Sequence, residues 1–478
     1  MSTSSAPPSP RRWTALVLIA LAQFTVIMDT SIIGVALPKM QVDLGFSPEG
    51  LSWVFNAYVV AFGGLLLLGG RLSDLFGAKR IFVAGWIVMA GGSLVAGLAP
   101  GEIWVELTGR ALQGVGAALI APSALTLLMM LFGSRPKELT KALALYGAAA
   151  PAGGTAGVFL GGVITEYASW PWVFYINIPI ALIVLALTPG VMPSSPVRRG
   201  SVDFGGAATV TVGLATAVYA VVRAPETGWG SAETWLVLLA GLALIGAFVA
   251  IQSKRREPLM RLGIWKAPNL AGANIAQLLM AAAWIPMWFF LNLYLQQVLE
   301  LGAFASGAAL LPMTVAIMIM MIVLAPRLMA RFGSKPLIVT GLLALAAGML
   351  WLSFARADGT FWVDVLPASL LAAAGMSLAF IPSLGTALSS ARPEEGGLAS
   401  GIVNTSYQVG SALGLAAMTA VSAAYGAREL GNPEALANGF SAAFIGAAAL
   451  AAVGAVASLL TLRGAPAQDS APGEKQPV

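Results

Sequence analysis

The sequence predicts an all-α integral membrane protein of 14 transmembrane helices, two six-helix bundles with two extra helices between them. Three observations carry this. The chain has 478 residues, 58% hydrophobic and 10% charged, where soluble domains carry about 25% charged residues. Its apolar runs reach the length of about 20 residues that a helix needs to cross hydrocarbon. Two loops far apart in the chain share one motif, the mark of an internal duplication.

The apolar runs fall at 14–37, 50–70, 81–99, 103–131, 140–163, 172–190, 204–222, 235–252, 269–293, 304–325, 336–354, 362–383, 397–422 and 439–462. Residues 1–13 and 463–478 read as polar tails, 14–190 as the first bundle and 269–462 as the second, with 191–268 holding basic linkers around the inserted pair. Of the 26 basic residues, 21 fall on one face of this topology and four (Lys39, Arg223, Arg356 and Arg428) on the other, while Arg110 lies inside a span. The positive-inside rule then sets both termini in the cytoplasm, for a multi-pass protein of the bacterial plasma (inner) membrane. The net charge of +5 is thus topology and attraction to the lipid bilayer, with no nucleic-acid partner expected.

Histidine and cysteine are both absent. Disulfides and thiolate metal sites are therefore excluded, and any proton chemistry falls to carboxylates. No phosphate-binding G-x-x-x-x-G-K-[ST] segment exists to use ATP. No cofactor or metal is expected, and no soluble domain is present to hold an enzyme site.

Charge inside a span is expensive and points to function. Asp29 stands well inside the first apolar run, and Glu106 and Arg110 stand four residues apart in the fourth. The topology puts Asp29 and Arg110 at similar depth. Two readings follow from the residues: a proton-coupling group whose carboxyl responds to movement of the Arg, or a static buried ion pair. Polar and aromatic candidates for a substrate cavity are Gln23, Asn56, Tyr58 and Gln113 in the first half. In the second half they are Gln277, Trp284, Trp288, Phe289, Asn292, Tyr294, Asn404, Tyr407 and Gln408. Aromatic faces suit flat organic cations.

The repeated loops are Gly70-Arg71-Leu-Ser-Asp74-Leu-Phe-Gly77-Ala-Lys79-Arg80 and the segment that begins Pro326-Arg-Leu-Met-Ala330-Arg-Phe-Gly333-Ser-Lys335. Asp74 has Ala330 as its counterpart, so its task is asymmetric: capping a helix N-terminus across the bundle interface, or pairing with nearby Arg residues. Gly153, Gly157 and Gly161 recur every fourth residue, followed by Gly162. The stripe is read either as a gate or as close helix packing.

These motifs resemble those of the major facilitator superfamily, within it the 14-span drug:proton antiporters, over nearly the whole chain. The Gly70–Arg80 loop looks like the signature between spans 2 and 3. Arg110-Ala-Leu-Gln113-Gly114 looks like the span-4 motif, whose Arg the family associates with proton coupling. Met28-Asp29-Thr30 through Pro38 is similar to the span-1 motif of the 14-span branch, and Trp170-Pro-Trp172 through Pro179 to the start of span 6. The Gly153–Gly162 stretch resembles the antiporter motif, with Val158 where proline is usual. The resemblance implies a monomeric, proton-coupled efflux transporter that exports amphipathic toxic compounds by alternating access. An exporter of one endogenous metabolite or siderophore is the alternative on the same fold.

Overall fold

A computed structural model describes residues 11–45, 48–98, 102–194, 203–255, 258, 260–392, 395–427, 429 and 431–463. Among them there is no strand, and the long helices are α1 (Arg12–Leu44), α2 (Pro48–Phe76), α3 (Ala78–Gly97), α4 (Ile103–Phe132), α5 (Pro136–Tyr167), α6 (Trp172–Val191) and α7 (Phe204–Thr227), then α8 (Ala232–Lys254), α9 (Leu270–Val298), α10 (Ala305–Phe332), α11 (Ser334–Leu352), α12 (Phe361–Ser390), α13 (Gly396–Ala424) and α14 (Pro433–Thr461). Twelve are long and apolar enough to cross a membrane, where the sequence led us to expect 14. The other two are α7, whose apolar part is the shorter Ala208–Val221, and α13, which carries Asn404, Thr405, Ser406, Tyr407 and Gln408 in succession and then Ser411. Helix α13 packs on α2, α9 and α14, so much of its polar surface meets protein.

Helices α1–α6 pack chiefly on one another, as do α9–α14, while α7 and α8 pair and α7 leans on α2 and α13. With little hydrophobic drive between helices in lipid, close backbone approach at small residues holds such pairs. Helix α3 meets α4 at Gly85 and Gly116: a Cβ on Gly116 would lie 2.9 Å from Gly85 O. The same contact recurs between α11 and α12, where a Cβ on Gly375 would lie 2.6 Å from Gly341 O. Gly341 follows Gly85 by the same offset that separates the repeated loops. The loops agree too. Gly77 (φ 91°) and Gly333 (φ 78°) both start the following helix from a backbone region open to glycine.

The stripe on α5 closes on α1, not on the second half. Added Cβ atoms at Gly157 and Gly161 would meet Met28 O at 2.7 Å and Ile32 O at 2.9 Å, and one at Gly153 would collide with Phe24 O. Gly162 faces open space. Of the two readings of the stripe, the contacts of Gly153, Gly157 and Gly161 are those of close packing of α1 on α5. On α13, Gly410 and Gly414 lie against the backbone of Leu278 and Ala282 on α9. Gly397 and Gly401 face α2. Trp104 and Trp362, in the first turns of α4 and α12, are largely exposed, whereas Trp170 is buried and donates to Asp43 Oδ2 at 2.8 Å.

Substitution should separate tight from open glycines. Gly414→Val is expected to push α13 off α9 and destabilise by about 1–3 kcal/mol, the usual penalty of overpacking. Gly162→Ala should be neutral or stabilise by up to about 1 kcal/mol, because alanine is the better helix former. Thermal unfolding of the purified variants in detergent reads both.

Candidate functional site

The buried charges form one knot. Glu106, Arg110 and Gln113 lie on one face of α4 at spacings of four and three. Gly92 and Gly109 bring α3 against that face, since a Cβ on Gly92 would lie 2.7 Å from Gln113 N. Asp29 on α1 and Arg110 are both fully buried and ion-paired, Nη1 to Oδ2 at 2.7 Å. The other carboxylate oxygen, Oδ1, accepts from Gln113 Nε2 at 2.9 Å and from Asn177 Nδ2 on α6 at 2.6 Å. Gln113 also accepts from Arg110 Nη1 at 2.7 Å and donates to Ser93 Oγ on α3 at 2.8 Å. Arg110 Nε donates to Val54 O on α2 at 2.9 Å. The guanidinium lies over the Tyr58 ring, 4.6 Å from its centroid, a further stabilising contact for a desolvated cation. Five helices thus converge on one ion pair.

Part of the knot is unsatisfied. Arg110 Nη2, Asn177 Oδ1 and both oxygens of Glu106 are buried without a hydrogen-bond partner. Glu106 sits in the first turn of α4 and is fully buried. The helix N-terminus favours an anion there by about 0.3–1 kcal/mol. An isolated buried ion costs several kcal/mol. The two contributions oppose one another, and burial is the larger.

A second cluster joins the two halves of the chain. Asp74, near the end of α2, accepts from the backbone N–H of Gly397 (2.9 Å) and Leu398 (3.1 Å), the first turn of α13. It caps that helix from the opposite half, one of the two tasks its asymmetry suggested. The approach needs glycines: a Cβ on Gly70 would lie 2.5 Å from Gly397 O. Ser400 Oγ donates to Pro122 O on α4 at 3.0 Å. Farther along, Thr155 on α5 and Thr314 on α10 share a hydrogen bond of 2.5 Å. A Cβ on Gly147 of α5 would lie 3.1 Å from the Phe380 ring of α12. Lys79 donates to Pro189 O and Met192 O at the end of α6, Arg80 is exposed and Arg71 half-buried.

The expected cavity residues disperse. Gln113 and Tyr58 belong to the knot. Gln23 accepts from Tyr146 on α5 at 2.7 Å. Gln277 donates to Phe380 O and Ser383 Oγ, tying α9 to α12. Tyr294 is buried and donates to Arg356 O at 2.6 Å. Asn292 accepts from Gln296, and Asn404 donates to Ser400 O on its own helix. Phe289 is 41% exposed and turns to the protein's surface. Trp284 is buried against the half-buried Trp288, whose ring edge lies 3.8 Å from the Cβ position of Gly154 on α5. Tyr407 packs edge-on to Phe380, and Gln408 is half-buried. The Asn56 side chain lies outside the described residues. Trp288 and Phe380 are thus aromatic groups of the second half that reach α5, with Tyr407 packed on Phe380. An apolar groove between α1 and α5, walled by Trp13, Leu16, Phe24 and Leu145, lies apart from the polar residues. Asn177, Ser93 and Phe380 were not among the expected site residues. Asn177 had a signal, an amide opening an otherwise apolar run, whereas Ser93 resembles any small residue of a packed helix.

The profile of the Major Facilitator Superfamily matches residues 19–415 and 327–478. The cephamycin export protein CmcT of Amycolatopsis lactamdurans is 37% identical over 464 residues, 96% of this chain and 94% of that protein. The puromycin resistance protein pur8 of Streptomyces alboniger is 38% identical, with 87% of this chain and 82% of that protein covered. The tetracenomycin C resistance and export protein of Streptomyces glaucescens is 31% identical, with 85% and 75% covered. Among solved structures, the proton:xylose symporter XylE superposes with a TM-score of 0.69 at 14% identity, covering 96% of this chain and 97% of that one. The likeness in structure extends to the fold.

Two outcomes are expected. Removing one partner of a buried pair strands the other, so Arg110→Met should destabilise by about 3–5 kcal/mol. Arg110→Met combined with Asp29→Leu should lose less than Arg110→Met alone, as measured by thermal unfolding. At the interface, Asp74→Asn should loosen the cap on α13. Because the chain has no cysteine, Ser400→Cys gives a single label at a fully buried position. Its reaction with a membrane-impermeant maleimide should quicken severalfold when Asp74→Asn is added.

Proposed function

The chain belongs to the major facilitator superfamily, and from that premise we propose that it is a proton-coupled efflux transporter that exports amphipathic toxic compounds by alternating access. It is a multi-pass membrane transporter of small molecules. In this reading α7 and α13 also cross the bilayer, giving the 14-span form, with both termini cytoplasmic in the bacterial inner membrane and the monomer as the working unit. The two six-helix halves rock about the junction where α2 meets α13 and α5 meets α10. Asp74 and Gly70 hold the cytoplasmic end shut in the conformer described above, and release it in the other.

The observation that carries this reading is the knot of Asp29, Arg110 and Glu106, ionisable groups buried where lipid would otherwise tolerate none. A static pair would need no third, unpartnered carboxyl beside it. The names of the similar proteins, which speak of antibiotic export and resistance, supply the substrate class. They also favour a second reading. Two of those names pair export with a single compound, cephamycin or tetracenomycin C, and this chain would then serve one endogenous metabolite.

Expression in a bacterial host lacking its major pumps, challenged with unrelated dyes, biocides and antibiotics, separates the readings. Raised tolerance to several unrelated compounds, lost when the proton gradient is collapsed and lost in Asp29→Asn at matched protein level, is expected. Protection against one compound alone would favour the second reading. Export that persists without a gradient would remove the proton coupling.

A further inference from the structure

We propose that Glu106, and not Asp29, carries the exchanged proton, with Asp29 acting as the fixed counter-ion of Arg110. The inference rests on the proton coupling argued above and divides its labour between the two acids.

The argument is one of donors. Asp29 meets N–H groups on both oxygens: Arg110 on Oδ2, Gln113 and Asn177 on Oδ1. A proton added to Asp29 would point at a donor and break one of these bonds. Neither oxygen of Asp29 is left open to take a proton without losing a hydrogen bond. Glu106 has the opposite surroundings, with no donor on either oxygen and no solvent exposure. A group so placed holds a proton until something supplies a partner or water.

That partner is already built in. Arg110 Nη2 is the guanidinium nitrogen without an acceptor, and Arg110 lies one turn along the same helix face as Glu106. When Glu106 gives its proton to water, the carboxylate that remains has Arg110 Nη2 to turn to, and Arg110 becomes shared between two acids. With Glu106 protonated the knot is neutral; with the proton gone it carries one net negative charge, which favours either a proton or a cationic substrate in its place. The other groups around the knot are Tyr58 on α2, Ser93 on α3 and Asn177 on α6, and the chain has no histidine to compete.

Position agrees with the task. Glu106 lies only one turn from Glu102, which is exposed where α4 begins. In the orientation set by the basic residues this is the outer end of the helix. A small opening of that end brings water, and a proton, from outside.

Infrared difference spectroscopy of the purified, reconstituted protein across a pH titration tests the assignment without any substrate. The wild type should show the carbonyl stretch of a protonated carboxyl group that disappears as pH rises. The band should be lost in Glu106→Gln, whose neutral amide matches the protonated acid in shape and should leave the melting temperature unchanged. It should remain, with its midpoint shifted, in Asp29→Asn. A band that survives Glu106→Gln and vanishes in Asp29→Asn would overturn the proposal, as would a protein with no titrating carboxyl band. Gradient-independent export by the wild type would instead defeat the proton coupling, so the two failures appear in different measurements.

Discussion

Arg110 is a guanidinium, which does not lose its proton in a protein, set among helices that face hydrocarbon. Everything near it follows from that constraint. Three of its nitrogens must be considered, and two have acceptors: Nε at Val54 O, Nη1 at Asp29 and Gln113. The acceptors come from three helices, and the ring of Tyr58 shields one face. To bring α3 close enough for Ser93 to complete the amide of Gln113, the sequence places glycine at 92 and 109. The small residues of the first half are thus partly explained by a polar requirement, beyond what close packing alone would ask.

The second half shows the same packing without the charge. Gly341 and Gly375 repeat the contact of Gly85 and Gly116, so the duplicated framework does not need an ion pair to assemble. Burying such a pair is close to neutral for stability when compared with well-packed apolar groups. Its retention in only one half is therefore better explained by what it does than by what it holds together. The same asymmetry marks the loops, where Gly77 and Gly333 agree in backbone while Asp74 and Ala330 differ.

Much of the framework could be read from the residues, because in lipid the length of an apolar run and the side on which Lys and Arg collect are imposed by the medium. The meeting of Asp29 with Arg110 was legible for the same reason: two isolated opposite charges at similar depth have few other partners. Helix α13 answers to the expected run 397–422 but is not apolar enough to count among the twelve spans. Its Asn, Gln, Ser and Thr residues lower its hydropathy because it packs among other helices. The close packing at Gly153, Gly157 and Gly161 was legible but its partner was not, since a stripe of small residues announces a close neighbour without saying which one. The polar residues expected at a cavity show the same difficulty. Gln277, Asn404 and Tyr294 have their hydrogen bonds within the half they belong to, and composition does not reveal which polar groups are already satisfied.

Helix α2 gives the two clusters a mechanical relation. At one end Val54 O and the Tyr58 ring hold Arg110; at the other, Gly70 and Asp74 seat the first turn of α13. The span from Tyr58 to Asp74 is continuous helix, about 24 Å at 1.5 Å per residue. A helix of that length transmits tilt more readily than it bends. If Arg110, still held by Asp29, shifts so that its free Nη2 meets a newly ionised Glu106, its bond to Val54 O and its contact with Tyr58 change with it, and α2 is displaced at the end that faces them. The far end bears two hydrogen bonds to α13 and a glycine contact too tight for a Cβ. Such a junction has little room for small adjustments, so it either stays seated or separates. In the reading proposed above, Asp74 is needed in only one half for the same reason that Arg110 is: one rod that contacts Arg110 at one end and carries Asp74 at the other suffices to link a proton at the knot to closure at the interface.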